Sequence, residues 1–583
     1  MPAAARGSRA VPRRNRARRG RGPAVRANAP RAIRYSRRVA TIVSTLLKRA
    51  IASSPLRLAA FRRFYIGSIA TAIGYTMQAT VAAWLMATLT PSALMVALVQ
   101  TASTSPSLLF GLFAGALADI VDRRKLILAT QFMLLVASGL LGGATLLGWI
   151  GPSALLALTF LIGAGFTFYM PAQQASVNEF VGRAELPRAI ALGAVAFNVA
   201  RAVGPALAGA IAAAIGTGSA LLASAFLFVP MIVAVRRWRR RELALPGIPE
   251  TVLSGVQSGL RYARHSAVMR TLIVSNLCFA VCASAFWALL PVIARDQLGL
   301  GAGGYGLLSA GFGIGAVAGA LSIPRLLQHK SVSAVVTLGF VLWTVAALLV
   351  AAAHLTVFAL VGAFCAGMAW VSVFATLSAA TQSSAPAWVR ARAVAMNLVA
   401  VQASLAVGSA AWGALASAFD TRVALVASAG MLVVVLAFRR KLRVEMGSEA
   451  DVTPSLHLPE LAVVTEPQPD DGPVLIQIEY RVDVEQRSAF LHAIQAVEAT
   501  RRRNGAARWR VYRDLGEDGL FVERYIIQSW SEYVRLRTRM TVADRKVQDR
   551  VADLQRKDVP IRVSRLLGVN ARDFLESSRH DAP

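Results

Sequence analysis

The sequence predicts an all-α polytopic membrane protein: twelve transmembrane helices in two six-helix repeats, followed by a small α+β ferredoxin-like domain. Three observations carry this. First, charge is scarce and segregated. Only 16% of the 583 residues are Asp, Glu, Lys or Arg, against about 25% in a soluble globule. Residues 64–118, 126–178, 271–294, 297–324, 331–389 and 393–419 contain none. A spanning helix needs about 20 apolar residues, so several of these runs hold two spans each. Second, the apolar region repeats itself at an offset of 204 residues. Five of the ten positions in 111–120 recur in 315–324, and twelve of the twenty-six in 188–213 recur in 392–417. One offset serving two separate stretches marks a duplicated membrane unit, the pattern of transporters built from two parallel halves. Third, past residue 443 the composition turns mixed and charged, with strand-like alternation.

The N-terminal arm (domain 1–60) is basic. Residues 1–63 hold eighteen Arg and Lys and no acid, in a Pro-, Gly-, Ala- and Arg-rich context that predicts disorder. It reads as a solvated tail, as unselected sequence upstream of a later start, or as a contact for anionic lipid headgroups at about 1 kcal/mol per basic residue. No nucleic-acid reading motif accompanies the charge, so no nucleic-acid partner is expected. The arm also lacks the pattern of a secretory signal peptide.

The first half (61–235) reads as spans 64–89, 93–118, 126–148, 153–177, 189–214 and 217–235, with turns at Thr90-Pro91-Ser92 and Gly151-Pro152. A basic linker (236–270) follows, with an amphipathic helix over 250–264. The second half (271–440) reads as 271–294, 304–324, 331–353, 355–381, 392–417 and 421–438. Basic residues gather in alternate loops, which by the positive-inside rule places both termini in the cytoplasm. The expected location is a bacterial inner membrane, crossed many times.

An acidic, Pro-containing linker (441–471) leads to the soluble unit (472–570) and a tail (571–583). The order β-α-β-β-α-β is expected: a strand at 475–482, a helix at 485–503, a hairpin around 516–519, one helix over 529–554 and a strand at 561–567.

Residues 111–125 read GLFAGALADIVDRRK. This stretch resembles the signature between spans two and three of the major facilitator superfamily. Gly115, Asp119, Arg123, Arg124 and Lys125 match it, while Ile120 stands in place of a basic residue and Asp122 in place of a glycine. The resemblance implies a gate: Gly115 for close helix packing, and Asp119 pairing with basic side chains to lock one conformation. A plain positive-inside loop is the other reading, and the repeat of this motif around Gly319 has lost its charges. FRRFYIGSIATAIGYTMQATVAAWLM (61–86), PAQQASVNEFVGRAELPRAIAL (171–192) and FNVARAVGPALAG (197–209) resemble the enterobactin-exporter-like branch. GAARWRVYRD (505–514) and SWSEYVRLRTRMTVADR (529–545) resemble the C-terminal part of its transmembrane secretion effector family. What this implies is secondary transport, usually efflux of drug-like or siderophore-like molecules.

Arg201 is the only charge in 189–235. It lies thirteen residues past Arg188, about 20 Å deep at 1.5 Å per residue. There an arginine costs at least about 2.5–3.5 kcal/mol, so it must face a cavity or a partner. Asn198 and the Gly204-Pro205 break are candidates to complete a polar pocket. An anionic substrate group, a pivot on carbonyls and a structural hydrogen-bonding arginine all satisfy this. Tyr75 and Gln78 (with Thr71), Tyr169 and Gln173, and Asn276 and Asn397 (with Gln402) lie in other spans. The resemblance makes them cavity-lining candidates; interhelical hydrogen bonding is the alternative. Trp287 and Trp370 read as packing, with substrate stacking as the alternative.

Of Asp, Glu, His, Lys and Arg, the spans hold only Arg201 and, at the very start of the last two spans, Arg392 and Arg422, while His354 sits at an external turn between spans, so proton coupling is implied by the resemblance alone. No phosphate-binding loop is present, which excludes Walker-type ATP hydrolysis. Cys278, Cys282 and Cys365 sit in apolar runs with no His or further cysteine pair, so neither a disulfide framework nor a zinc site is expected. No metal or cofactor is called for. The expected partners are a small-molecule substrate, the lipid bilayer and a second copy through the C-terminal unit. The alternative function puts activity in that unit, as a membrane-anchored enzyme or sensor with His492, Trp509, Tyr512 and Arg513 as its pocket.

Overall fold

The structure is a computed structural model. It describes residues 55–182, 185–238, 252–438, 444, 447–455, 463 and 467–568. Most of the expected N-terminal arm, the RRE run of the basic linker and the tail 571–583 lie outside these residues. Pro55–Arg57 form one 3-10 turn.

Long helices follow each apolar run: α1 (Ala59–Leu89), α2 (Ala93–Ile120), α3 (Arg123–Leu146), α4 (Pro152–Phe180) and α5 (Leu186–Ile215), then the pair α6 (Thr217–Phe226) and α7 (Val229–Arg236). The break between α6 and α7 precedes Pro230, which sits at the first turn of α7. After α8 (Val252–His265) come α9 (Ala267–Val292), α10 (Ala302–His329), α11 (Val332–Ala351), α12 (Thr356–Ser384), α13 (Arg390–Ala418) and α14 (Thr421–Ala437). Local chemistry sets the starts. Ser92, Ser266 and Ser331 accept from the backbone N–H three residues on, Asp122 accepts from Arg124 and Lys125, and Pro152 opens α4.

Among the described residues eleven helices are long and apolar enough to cross a membrane, counting 217–236 as one. A count of twelve rests on α14, which has 17 residues, about 26 Å against a hydrocarbon core near 30 Å.

Helix partners repeat along the chain. In the first half α1 packs on α5, α2 on α4, and α3 on α4 and α6. In the second, α9 packs on α13, α10 on α12, and α11 on α12 and α14. Two further pairs join the halves, α2 with α13 and α5 with α10. They are equivalent under the 204-residue repeat.

The C-terminal region begins with α15 (Glu449–Val452). It continues through β1 (Val474–Arg481), α16 (Arg487–Asn504), β2 (Ala507–Arg513), β3 (Leu520–Ile527), α17 (Trp530–Arg539), α18 (Val542–Ala552) and β4 (Arg562–Leu567). The strands form one antiparallel sheet in the order β2-β3-β1-β4, as a ferredoxin-like pattern requires. The hairpin turns where expected: Asp514 accepts from the N–H groups of Gly516 and Glu517, and Gly519 takes φ +83°.

The single helix expected over 529–554 is two. Its break at Met540 and Thr541 is made by chain far away in sequence. Ser455 N–H donates to the Met540 carbonyl at 2.8 Å, and Val542 N–H donates to the Thr453 carbonyl at 2.9 Å. Thr541 then caps α18 in a reciprocal box with Asp544.

Candidate functional site

Arg201 sits midway along α5. Its guanidinium carbon lies 5.7 Å from the ring centroid of Trp287, 5.4 Å from Phe312 and 5.4 Å from Trp370. The three rings come from α9, α10 and α12, all in the other half. They contact one another, with Trp287–Phe312 centroids 4.3 Å apart and Trp287–Trp370 5.8 Å apart. Such faces attract a cation strongly when water is excluded. Among the described residues Arg201 has no hydrogen bond or ion pair. The two tryptophans, expected as packing, also wall the arginine. Phe312 was not singled out from sequence, because a lone aromatic in a Gly-rich span signals only core.

Two glycines let the backbone at Arg201 be gripped from both sides. A Cβ on Gly204 would lie 2.0 Å from Thr76 Oγ1, and it is this approach that lets Thr76 donate to the Ala200 carbonyl at 3.0 Å. A Cβ on Gly313 of α10 would lie 2.3 Å from Ala202 Cα. Pro205 lies inside α5 and leaves the carbonyl four residues back, on Arg201, without its helical donor. Asn198 lies one turn before Arg201.

The other polar candidates are distributed between helices. Tyr75 stacks on Phe166 at 3.8 Å and shares a hydrogen bond with Ser103. Thr71 donates to Gln131, and Gln173 donates to Ser68. Asn276 is fully buried and donates to Asn397 at 2.8 Å, the interhelical arrangement. Gln78 and Tyr169 are buried, and Gln78 Nε2 has no hydrogen-bond partner among the described residues.

At the basic end of the bundle, Arg123 bridges α3 and α4. It donates to Glu179 at 3.1 Å and to the Ala175 carbonyl at 3.3 Å. Arg124 donates to the Arg236 carbonyl at 3.0 Å, and Lys125 is exposed. The side chain of Asp119 lies outside the described residues. The close packing expected at Gly115 is absent among the described residues, since a Cβ there would meet nothing within 4 Å. Its repeat, Gly319, does pack closely: a Cβ there would lie 2.9 Å from Met368 Cα. The small-residue stripe therefore serves different neighbours in the two halves.

The C-terminal unit docks against the second half. Glu532 of α17 accepts from Arg261 of α8 and from Arg539, both at 2.8 Å, and the Arg539 guanidinium lies 4.3 Å from the ring centroid of Trp388. Burial pushes the Glu532 carboxyl up, but Arg539, Arg261 and Arg535 outweigh it and hold it below the usual glutamate value. Within the unit, Glu523 is fully buried and accepts from Arg501, Trp509 and Tyr480. Burial and Glu523 together push the Tyr480 hydroxyl well above its ordinary value. The four residues of the alternative pocket do not converge. Trp509 points into this core, whereas His492, Tyr512 and Arg513 are exposed. Among the described residues no His, Cys, Asp and Glu cluster can hold a metal.

Paired halves meeting around a half-buried cation make a polytopic membrane fold, and solved transporters share it. A mutant of the nucleoside transporter NupG matches at 13% identity over 66% of this chain and 99% of that one, with a TM-score of 0.55. A bacterial homolog of the human lysosomal transporter Spinster, inward-facing and unoccupied, matches at 14% identity over 67% of this chain and 98% of that one, also at 0.55. The chain belongs to the transmembrane secretion effector family of the major facilitator superfamily, which it matches over residues 50–573. The family and the matched relatives are transporters rather than enzymes. The multidrug efflux pump Tap of Mycolicibacterium fortuitum is 28% identical over 202 residues, 33% of this chain and 49% of that pump. The chain thus spans about half the length of this curated relative.

Proposed function

We propose that the protein exports small amphipathic molecules, drug-like or siderophore-like, from the cytoplasm. It works by alternating access between two six-helix halves, with α14 as the twelfth span. The observation that carries this reading is Arg201: a cation at mid-depth, on the seam between halves, facing rings of the opposite half. Basic loops at one end support a cytoplasmic orientation of that end and of both termini, in a bacterial inner membrane. Arg123 and Glu179, with Arg124, Lys125, Asp119 and Gly115, form the gating segment at that end. Coupling to protons follows from the family resemblance.

The test is accumulation of an amphipathic fluorescent dye in everted membrane vesicles, with a pH gradient set and then collapsed. Protein-dependent accumulation that vanishes with the gradient is expected. Accumulation that ignores the gradient removes proton coupling, and no accumulation across a chemically varied dye panel removes export. Arg201→Ala should insert normally and lose export.

A further inference from the structure

We propose that the Arg201 site takes an amphipathic anion: one carboxylate, sulfonate or phosphate group carried on an aromatic or other apolar body. The inference rests on the export reading for the direction of movement, but not for the binding chemistry.

Two donors at this site are left over. Arg201 offers five N–H groups in a planar fork. The ring faces of Trp287, Phe312 and Trp370 balance its charge, but among the described residues nothing accepts its hydrogens. The second donor is the indole of Trp287, whose Nε1 is buried without a hydrogen-bond partner among the described residues. Native interiors rarely leave a buried donor unused, because each one costs free energy. Here an orphan indole N–H belongs to the ring that walls an unpaired guanidinium.

The two features call for the same ligand atom type. A ligand oxyanion accepts from a planar guanidinium in two-pronged fashion, with a further lone pair open to the indole. The rings around these donors give an apolar wall suited to a flat or greasy body. A cationic ligand fits poorly. Arg201 repels it, and the apolar runs that build the spans contain no carboxylate to receive it. Gly204 and Gly313 hold the backbone on either side of the arginine, so the site is built on packed helices rather than on a loop.

Three probes with one ring system separate the possibilities: pyrenebutyrate, pyrenebutanol and pyrenemethylamine. Each is titrated into the purified full-length protein, with tryptophan emission and equilibrium dialysis as readouts. Wild type should bind the carboxylate about tenfold or more tighter than the alcohol, and the amine weakest. Arg201→Gln should erase that preference while alcohol binding stays within about twofold. Trp287→Phe, which keeps a ring but removes the N–H, should reduce the preference in part. Equal binding of carboxylate and alcohol by wild type overturns the proposal whether or not the variants fold. A preference that survives in folded Arg201→Gln, or tighter binding of the amine, also overturns it. Vesicle transport of the same probes keeps the two readings apart. Carboxylate-selective binding without transport of any probe retains the site and removes the exporter. Transport of alcohol or amine without carboxylate preference retains the exporter and removes the anion site.

Discussion

Arg295 joins the two halves at the end of the bundle opposite the basic loops. Its Nη1 donates to the carbonyl of Thr90, at the end of α1, at 2.9 Å, while Asp296 holds the same guanidinium at 2.5 and 2.7 Å. Near it Leu94 N–H donates to Ser417 Oγ at 2.8 Å, and the rings of Trp84 and Tyr305 stack at 5.8 Å. Apart from the Arg295–Asp296 pair, these contacts cross from one half to the other.

Arg295→Gln should therefore favour separation at this end. A partly exposed charge-assisted hydrogen bond contributes about 1 kcal/mol, roughly a fivefold change in population. Spin labels at Met95 and Phe419, both exposed, should show a larger long-distance component in the variant. An unchanged distance distribution would mean that the contact does not hold the halves together.

Glycine substitutions should separate packed from open positions. Gly313→Ala places a methyl 2.3 Å from Ala202 Cα, and backbone cannot swing aside. A loss of about 1–3 kcal/mol is expected, seen as a lower melting temperature in detergent. Gly115→Ala meets nothing within 4 Å and should leave the melting temperature unchanged. Equal shifts in both variants would contradict this packing.

Glu532→Ala should loosen the C-terminal unit from the second half. It leaves Arg261 and Arg539 facing each other without their shared carboxylate, a change of about 1–3 kcal/mol after allowing for partial exposure. Hydrogen exchange should rise in 530–539 and 257–265. Protection that persists in both segments would assign the docking to other contacts.

The same carboxylate gives the docking a pH dependence of definite sign. Its value in the docked state lies below the ordinary 4.5. The stabilisation is then fully present above 4.5 and disappears as pH falls through the lower docked value. Exchange in 530–539 should match at pH 7 and pH 6 once corrected for intrinsic rates, and should rise only on further acidification below 4.5. A rise already complete at pH 6 would point to a different titrating group.

Glu523→Ala should unfold the C-terminal unit selectively. It strands Arg501, Trp509 and Tyr480 in a buried core, at about 3–5 kcal/mol. Limited proteolysis should remove residues beyond about 470 while the helical bundle stays intact. Resistance equal to wild type would show that the core tolerates the loss.

Much of this was legible in the sequence because single residues declare it. Charge-free runs gave the spans, the turns at Thr90-Pro91-Ser92 and Gly151-Pro152 separated them, and a lone Arg201 in an apolar run gave the candidate site. What surrounds Arg201 was not legible. Phe312 is 111 residues further along the chain, and no periodicity says which ring meets which charge. The break at Thr541 was hidden for a similar reason, since backbone from 453–455 imposes it. Gly115 misled because a small residue permits a close approach without requiring one. Glu179 pairs with Arg123 across 56 residues, a match that charge counts cannot assign.

The helix between the halves, α8, packs on α16 of the C-terminal unit and on α9 and α13 of the second half. The only covalent tether from one half to the other thus passes through the clasp made by Arg261 and Glu532. Linkage makes any such clasp mutual. Under the proposed alternating access, if its grip differs between the two states, whatever binds the C-terminal unit changes substrate affinity by some factor, and substrate changes that partner's affinity by the same factor.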